Sequence, residues 1–392
     1  MKPPQEASDP GRTRAEDARF LGLALDLASK GQGRTRPNPM VGALVVKDGE
    51  IAGCGYHARA GEEHAEVIAI GRAGKEASGA TLYSSLEPCC HQGRTGPCVD
   101  RIVGAGVRRV VACTVDPDPR VNGRGLEALR AAGLQVSSGL LEPEARRLNE
   151  AFAHFVTARS PFVTLKAGAS LDGKIGPEGG PGREAAPRDR WITSQEARRE
   201  AMRLRDRNDA ILVGIGTVLA DDPLLTVREP AESRPIVRAV LDSSLRTPPG
   251  CRLLRSAAGG PVVLYHAGTV RRGCAEALRS AGAVVVKAGD GPRVDLDLVL
   301  SDLAQRDVMG LLVEGGGEVL GSFLAERKFQ KVCLFTAPTV LGPGRVAFAP
   351  APAAGGRMEP LRLGFLSARR VGPDLMIEAE PWLRVGQAGS LE

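Results

Sequence analysis

The chain has 392 residues, a formal charge of +6, and is 43% hydrophobic but only 4% aromatic. That length suits two domains with cores of Val, Leu, Ala and Ile. The absence of any run of about 18 apolar residues argues against a membrane span. The basic excess (pI near 9.0) comes without a long basic run interleaved with aromatics, which disfavours nucleic acid and leaves an anionic substrate or cofactor as the partner to expect. Eight cysteines lie scattered behind no secretory h-region. A reducing cytoplasm, with thiols as ligands or small core residues, is the expectation. Residues 1–14 and 386–392 read as flexible tails rich in Pro, Gly, Ser or charge.

In chain order, Phe20, Leu23, Ala24, Leu27 and Ala28 recur at helical spacing, predicting a helix from Glu16 to Lys30. Two prolines around Asn38 fix a turn that presents its amide. Strands are expected at 43–46 and 51–55, joined by the hairpin signal Asp48-Gly49. The second runs into His57. His64-Ala65-Glu66 then opens a helix to about Ala73. A strand at 81–84 ends in Leu86-Glu87-Pro88-Cys89, where proline and cysteine suit a first helical turn. A strand at 110–113, a helix at 125–131 and a strand at 134–137 complete a layered α/β domain. The loop from Asp116 to Gly125 is placed to close over a pocket or to serve as a plain turn.

His64, Cys89 and Cys98 offer three ligands for Zn²⁺, which leaves a fourth position for water. Glu66 lies two residues from the histidine, and zinc deaminases combine H-x-E with P-C-x-x-C. Here the second cysteine comes nine positions after the first. Cys90 and His91 also bind metal by type, but the proline directly before Cys89 and Cys98 makes those two alike.

A charged helical stretch, 147–154, is broken by Ser160-Pro161, and the boundary is placed there. The domains are assigned as 15–148 and 149–385. Strand 162–166 leads to the turn Ser170–Lys174, and 176–190 reads as a surface loop. Thr193-x-x-Glu196 forms a capping box for a helix to about Asp206. A strand at 210–213 precedes a turn at Gly214-x-Gly216-Thr217. Strands at 237–241, 261–265 and 283–287 follow, then a helix at 295–305. Strand 311–313 ends in Glu314-Gly315-Gly316-Gly317 before a helix over 318–327. Such a turn suits a phosphate at a helix N-terminus or simply a tight β–α connection. No G-x-G-x-x-G with a distant acid marks a Rossmann domain.

The stretches Thr35-x-Pro37-Asn38-Pro39-x-Val41-Gly42, Gly55-x-His57-x₃-Gly61-x₂-His64-Ala65-Glu66 and Leu86-Glu87-Pro88-Cys89-x-His91-x-Gly93-x-Thr95-x-Pro97-Cys98 resemble the bifunctional riboflavin-biosynthesis deaminase/reductase family. So do Leu165-Lys166-x₃-Ser170-Leu171-Asp172-Gly173-Lys174, Trp191-Ile192-Thr193-Ser194, Gly214-x-Gly216-Thr217, Asp221-Asp222-Pro223-x-Leu225-Thr226-x-Arg228 and Glu314-Gly315-Gly316. The resemblance spans roughly residues 15–384. It accounts for the long cysteine spacing, which is the family's own.

The resemblance implies a cytidine-deaminase-like three-layer domain followed by a dihydrofolate-reductase-like α/β domain. The first would deaminate 2,5-diamino-6-(5-phosphoribosylamino)pyrimidin-4(3H)-one. The second would use NADPH to reduce the ribosyl group of 5-amino-6-(5-phosphoribosylamino)uracil to ribityl. It implies one zinc on His64, Cys89 and Cys98, Glu66 as proton shuttle, and Asn38, His57, Arg94 and Asp116 as substrate contacts. Trp191, Thr217, Asp221, Ser243 and Gly316 would line NADPH, and Arg205, Arg228 and Glu314 would hold the phosphorylated sugar. Lys166, Lys174 and Leu224 are weaker candidates. A homo-oligomer, dimer or tetramer, is expected. Gly96 and Asp118 depart from the family's proline and asparagine, and Asp189 stands where serine is common. Two alternatives stay open: a single-activity deaminase with an idle second domain, and a non-catalytic protein with a structural zinc.

Overall fold

The computed structural model describes residues 13–91, 96–177, 191–228, 234–256, 259–271, 273–349 and 360–382. The expected tails lie almost wholly outside these ranges, as does the expected loop from residue 178 to 190. The chain forms two compact units, one ending at Arg159 and the other beginning at Ser160. Residues 149–159 thus fall in the first unit, where the Asn149 side chain exchanges two hydrogen bonds with the backbone of Met40. No helix among the described residues is long and apolar enough to cross a membrane.

The first unit runs α1 (Arg14–Ser29), β1 (Gly42–Lys47), β2 (Glu50–Tyr56), α2 (Ala65–Ala73), β3 (Thr81–Ser84), α3 (Cys98–Gly104), β4 (Arg109–Ala112), α4 (Arg124–Ala131), β5 (Gln135–Ser138), α5 (Glu142–Leu148) and α6 (Glu150–Ala158). Helix α1 starts earlier than its apolar pattern indicates, because Thr13 and Glu16 form a reciprocal capping box. Its five strands lie in the order β2-β1-β3-β4-β5, antiparallel on the β1 side and parallel from β3 to β5. Successive strand residues face opposite ways. Ala43, Val45, Leu82 and Val110 pack with the residues of α2, α3 and α4. Leu44, Val46, Tyr83 and Val111 pack with Phe20, Leu21 and Ala24 of α1 and Ala145 of α5. The result is three layers, with helices on both faces of one sheet.

Two local features position the first site. Helix α2 lies close on β2 because Gly53 and Gly55 carry no Cβ. A Cβ there would stand 2.2 Å from the Ala69 carbonyl oxygen and 2.6 Å from that of Ala65. The second feature is Glu87, which is 3% exposed. Its carboxylate accepts the backbone N–H groups of Asp116, Gly123, Gly125 and Leu126 at 2.8–3.1 Å. It thereby ties the loop after β4 and the start of α4 to the segment that carries Cys89. Cys89 itself is not at a helix start, contrary to the sequence expectation. It sits in the irregular stretch after β3, and only Cys98 opens a helix, behind Pro97.

The second unit runs β6 (Phe162–Ser170), β7 (Lys174–Pro177), α7 (Gln195–Arg207), β8 (Ala210–Gly214), α8 (Ile215–Asp221), β9 (Val237–Leu241), α9 (Arg252–Arg255), β10 (Val262–His266), α10 (Cys274–Ser280), β11 (Ala283–Lys287), α11 (Leu296–Gln305), β12 (Gly310–Val313), α12 (Gly317–Ala325), β13 (Lys331–Ala337), β14 (Gly344–Val346), β15 (Leu363–Val371) and β16 (Asp374–Pro381). Nine strands form one sheet in the order β11-β10-β9-β8-β12-β6-β13-β16-β15, and β7 and β14 form a separate ribbon. The strands are parallel from β11 to β13, and β16 and β15 continue antiparallel.

Some local expectations change here. The N-cap of α7 is Ser194, whose hydroxyl accepts from Ala197 N–H, so a simple serine cap replaces the expected Thr193-x-x-Glu196 box. Gly214 to Thr217 is the entry to α8 and not an open turn. Strand β7 occupies the start of what reads as loop, and β13 to β16 carry no element in the sequence reading.

Glu87→Ala should destabilise the first unit by at least about 3 kcal/mol, since an unmet buried N–H costs roughly 1–3 kcal/mol and four lose their acceptor. Glu87→Gln should recover only part, because its NH₂ would face donors. Urea unfolding of the intact chain measures this; a change within about 0.5 kcal/mol for both variants would remove Glu87 from its anchoring role.

Candidate active sites

In the first unit the donor atoms of His64, Cys89 and Cys98 all lie within 4.8 Å of one another. His64 is the N-cap of α2, Cys89 follows β3, and Cys98 begins α3. His64 Nδ1 is 3.1 Å from Cys98 Sγ and 3.5 Å from Cys89 Sγ. A tetrahedral zinc, with bonds of about 2.3 Å to sulfur and about 2.0 Å to nitrogen, sets such pairs about 3.5 Å apart. The donor set therefore fits zinc in both chemistry and spacing. Cys90 and His91 do not join this cluster, and the buried Nδ1 of His91 has no hydrogen-bond partner among the described residues.

The electrostatics are those of a thiolate site. A hydrogen bond from Cys98 and another from His64 bring the Cys89 thiol down to about 4, against the effect of burial. The same bond and burial push Cys98 up. The contact with Cys89 raises His64. Glu66, 3% exposed, points its Oε2 at Cys98 Sγ at 3.6 Å and accepts from Ser84 Oγ at 3.4 Å. Burial raises its carboxyl above the usual range.

Asn38 Nδ2 and His57 Nε2 are 3.0 Å apart, and His57 Nδ1 is 3.2 Å from the Glu63 carbonyl. An acceptor at Nδ1 places the proton there, so Nε2 accepts from the amide. Burial lowers the His57 pKa, which keeps the ring neutral. Its ring meets that of His64 edge-on, with centroids 5.5 Å apart, so Asn38 and His57 stand beside the metal ligands. Asp116 is 6% exposed and its carboxyl is pushed up to about 7 by burial. Asp118 accepts from Arg120 through both oxygens, from Nε at Oδ1 (3.1 Å) and from Nη2 at Oδ2 (2.6 Å). The departure from asparagine is thus met by a cation from the same loop. Arg94 lies outside the described residues.

In the second unit a cleft of about 1140 Å³ opens at the carboxyl ends of the central parallel strands. From β8 the chain turns towards β9, whereas from β12 it crosses to β13 on the far side of β6. Adjacent strands whose connections diverge leave a crevice, the usual ligand position in such sheets. The cleft brings together Thr217, Asp221, Ser243, Glu314, Gly316 and Lys166. A Cβ on Gly316 would meet nothing within 4 Å, and Gly316 is the N-cap of α12. Free backbone N–H groups at such an end suit a phosphate, so the cleft fits a dinucleotide.

Glu314 receives Arg205 Nε at 2.9 Å and Nη2 at 2.8 Å, and Lys166 Nζ lies 3.8 Å away. Burial opposes its charge, but Arg205 and Lys166 prevail and hold it at about 2. Arg205 also gives Nη1 to the Thr226 carbonyl. Trp191 is 60% exposed and borders a separate, smaller pocket with Arg198, Thr339 and Asp374. Lys174 is on β7 and Arg228 is exposed, and neither borders the main cleft. Leu224 contributes its carbonyl to the buried Arg238 guanidinium at 3.2 Å. Asp189 lies outside the described residues. The sequence reading gave no role to Glu87, whose only signal is its place beside Pro88-Cys89, nor to Arg246 and Arg293, which reach one cleft from distant segments.

Comparison with known proteins matches both units to known domains. The cytidine and deoxycytidylate deaminase zinc-binding region matches residues 14–114, and the RibD C-terminal domain matches residues 161–377. The riboflavin biosynthesis protein RibD of Aquifex aeolicus (strain VF5) is 44% identical over 333 residues, 84% of this chain and 89% of that protein. That of Escherichia coli (strain K12) is 38% identical over 374 residues, 92% and 98% of the two chains. The solved structure of Acinetobacter baumannii RibD, form 1, has a TM-score of 0.80 at 32% identity, covering 94% of this chain and 99% of that one. The diaminohydroxyphosphoribosylaminopyrimidine deaminase/5-amino-6-(5-phosphoribosylamino)uracil reductase of Thermotoga maritima gives 0.79 at 34% identity, with the same coverage. The chain belongs to the RibD family of riboflavin biosynthesis proteins, and it carries both a zinc-binding deaminase domain and a reductase domain.

Proposed function

We propose that the chain performs two successive steps of riboflavin biosynthesis. The first unit deaminates 2,5-diamino-6-(5-phosphoribosylamino)pyrimidin-4(3H)-one, and the second reduces the ribosyl group of the resulting 5-amino-6-(5-phosphoribosylamino)uracil to ribityl. The observation that carries this reading is the convergence of His64, Cys89 and Cys98 with the buried Glu66 carboxyl alongside, in one chain with a reductase cleft.

Zinc held by His64, Cys89 and Cys98 supplies a Lewis acid that makes water nucleophilic at neutral pH. Glu66 accepts the proton of the attacking water and returns protons to the ring nitrogen and the departing amine. Burial raises its pKa, which favours the protonated form that returns the proton. A structural clamp has no use for such a group. Asn38 and His57 orient the heterocycle, with Asp116 and Arg94 as further substrate contacts.

In the second unit NADPH supplies the hydride. Thr217, Asp221, Ser243 and Gly316 line it, a reading supported by their shared cleft. Glu314 and Lys166 hold the sugar end, and Arg205 is a positioning residue that fixes Glu314. Trp191, Arg228, Lys174 and Leu224 draw no support from that cleft. We assign the deaminase to the sequence domain 15–148 and the reductase to 149–385, with the bridging helix α6 packed in the first unit. A cytoplasmic, homo-oligomeric enzyme is proposed with it; eight cysteines without a disulfide accord with a reducing compartment.

Glu66→Gln should lower ammonia release by roughly 10²–10⁴-fold while zinc content stays near one per chain. Loss of zinc together with activity would give Glu66 a metal-holding role instead.

Arg205→Met should destabilise the second unit by roughly 3–5 kcal/mol at pH 7, because it leaves Glu314 buried beside fewer cations. The Glu314 pKa is depressed from 4.5 to about 2. The pair's contribution is therefore complete above about pH 4.5 and fades as pH falls towards 2. Unfolding free energies of the two proteins should converge over that interval; a gap independent of pH would contradict the pairing.

A further inference from the structure

Four cationic side chains border the reductase cleft: Lys166, Arg246, Arg293 and Arg345. Lys166 is committed to Glu314. The Arg345 guanidinium lies over Gly176, where a Cβ would be 2.8 Å from Nη2. Arg246 and Arg293 are exposed, and neither guanidinium has a hydrogen bond or ion pair among the described residues. Two unpaired guanidinium groups beside one cleft repel each other and gain nothing from the protein. An anion is the partner that would meet both.

Their placement is built. Arg246 lies in the turn after β9, and Arg293 directly precedes Val294 in the segment before α11. Ser243 Oγ accepts the Val294 N–H at 3.3 Å and so stitches the two segments together. Asp242, fully buried, accepts from Arg246 N at 2.9 Å and from Thr247 N and Oγ1 at 2.7 Å each. Its carboxylate shapes the turn that presents Arg246. It is therefore not available to a ligand in the cleft.

That detail bears on which coenzyme is preferred. Enzymes that take NADH set a free acid against the ribose 2′-hydroxyl, whereas an arginine there accommodates a 2′-phosphate. The acid at the end of β9 is buried and engaged. Of the other acids at or near the cleft, Asp221 ends α8, Glu318 stands in the first turn of α12, Asp295 caps α11, and Glu326 faces Lys328 at 3.9 Å. Across the sheet, β9 is three strands from β6, about 14 Å at normal strand spacing. A dinucleotide with its nicotinamide at Lys166 and Glu314 would cross the glycine turns at β12 and β8, and its adenosine end would reach β9.

We propose that Arg246 and Arg293 are the coenzyme-discriminating residues of this chain and receive the 2′-phosphate of NADPH. The proposal rests on the reductase reading above. Its chemistry is that of a dianion met by two guanidinium groups at the adenosine end, remote from the hydride.

The test compares NADPH and NADH binding to the intact chain and to Arg246→Gln/Arg293→Gln, with adenosine 2′,5′-bisphosphate and 5′-AMP as probes. The unmodified chain should bind NADPH and the bisphosphate more tightly than NADH and 5′-AMP. The double variant should lose about tenfold to a hundredfold in affinity for the two 2′-phosphorylated ligands. Its affinity for NADH and 5′-AMP should stay within about twofold, which also reports that the variant is folded. Added salt should weaken NADPH more than NADH in the unmodified chain, and this difference should vanish in the variant. A variant that keeps the full preference for 2′-phosphorylated ligands would overturn the assignment and leave the reductase reading standing. Failure of the unmodified chain to bind either coenzyme would overturn both.

Discussion

A carboxylate removed from water must be met by donors, by cations or by a proton, and each answer organises part of this molecule. Glu87 is met by four backbone N–H groups, and in meeting them it fastens the loop after β4 to the segment carrying Cys89. Glu314 is met by Arg205 and Lys166 at the mouth of the reductase cleft. Among the described residues Glu66 has Ser84 and Cys98 as side-chain hydrogen-bond partners, and burial, the largest influence on it, raises its pKa despite the nearby His64. Glu314 is held charged by its cations, and Glu87 is occupied by the N–H groups it accepts. The third is free to exchange a proton, and it is the one beside the metal ligands.

The metal ligands reach one point from three separate places in the chain. Helix α2 must approach β2 closely, and Gly53 and Gly55 permit it. The Cys89 loop must be fixed without a helix of its own, and its neighbour Glu87 supplies the anchor. A Cβ at Gly125 would stand 2.0 Å from the Pro88 carbonyl, so α4 also presses directly on this loop. In the second unit the equivalent constraint is topological. Divergent connections from β8 and β12 leave the crevice, and the sheet order sets which side chains border it.

What was legible in the sequence follows from range. His64-Ala65-Glu66 and the two Pro-Cys pairs are local patterns, so the zinc ligands and Glu66 could be named, and their convergence is what the fold supplies. The Asp48-Gly49 hairpin forms as its residues indicate, with positive φ at both. Cys89 was expected on a helix because Pro88 suits a first turn, but the N–H groups that α4 offers to Glu87 hold that segment irregular. Thr193 and Ser194 are equally good caps by type, and Asp374, which takes the Ser194 N–H at 2.7 Å from a distant strand, accompanies the choice of Ser194. Glu87 has only its place beside Pro88-Cys89 as a local signal, and Arg246 and Arg293 have none. Their roles depend on partners brought near only by the sheet, which no short-range pattern reports.

Deamination in the first unit is the step that supplies the substrate of the second. The most direct measurement is a parallel time course of ammonia and NADPH consumption by the zinc-loaded intact chain, given only the diaminopyrimidinone substrate. Ammonia should appear first, NADPH consumption should follow to an equal total, and chelating the zinc beforehand should stop both. NADPH consumed without ammonia, or unaffected by loss of zinc, would contradict this order of steps.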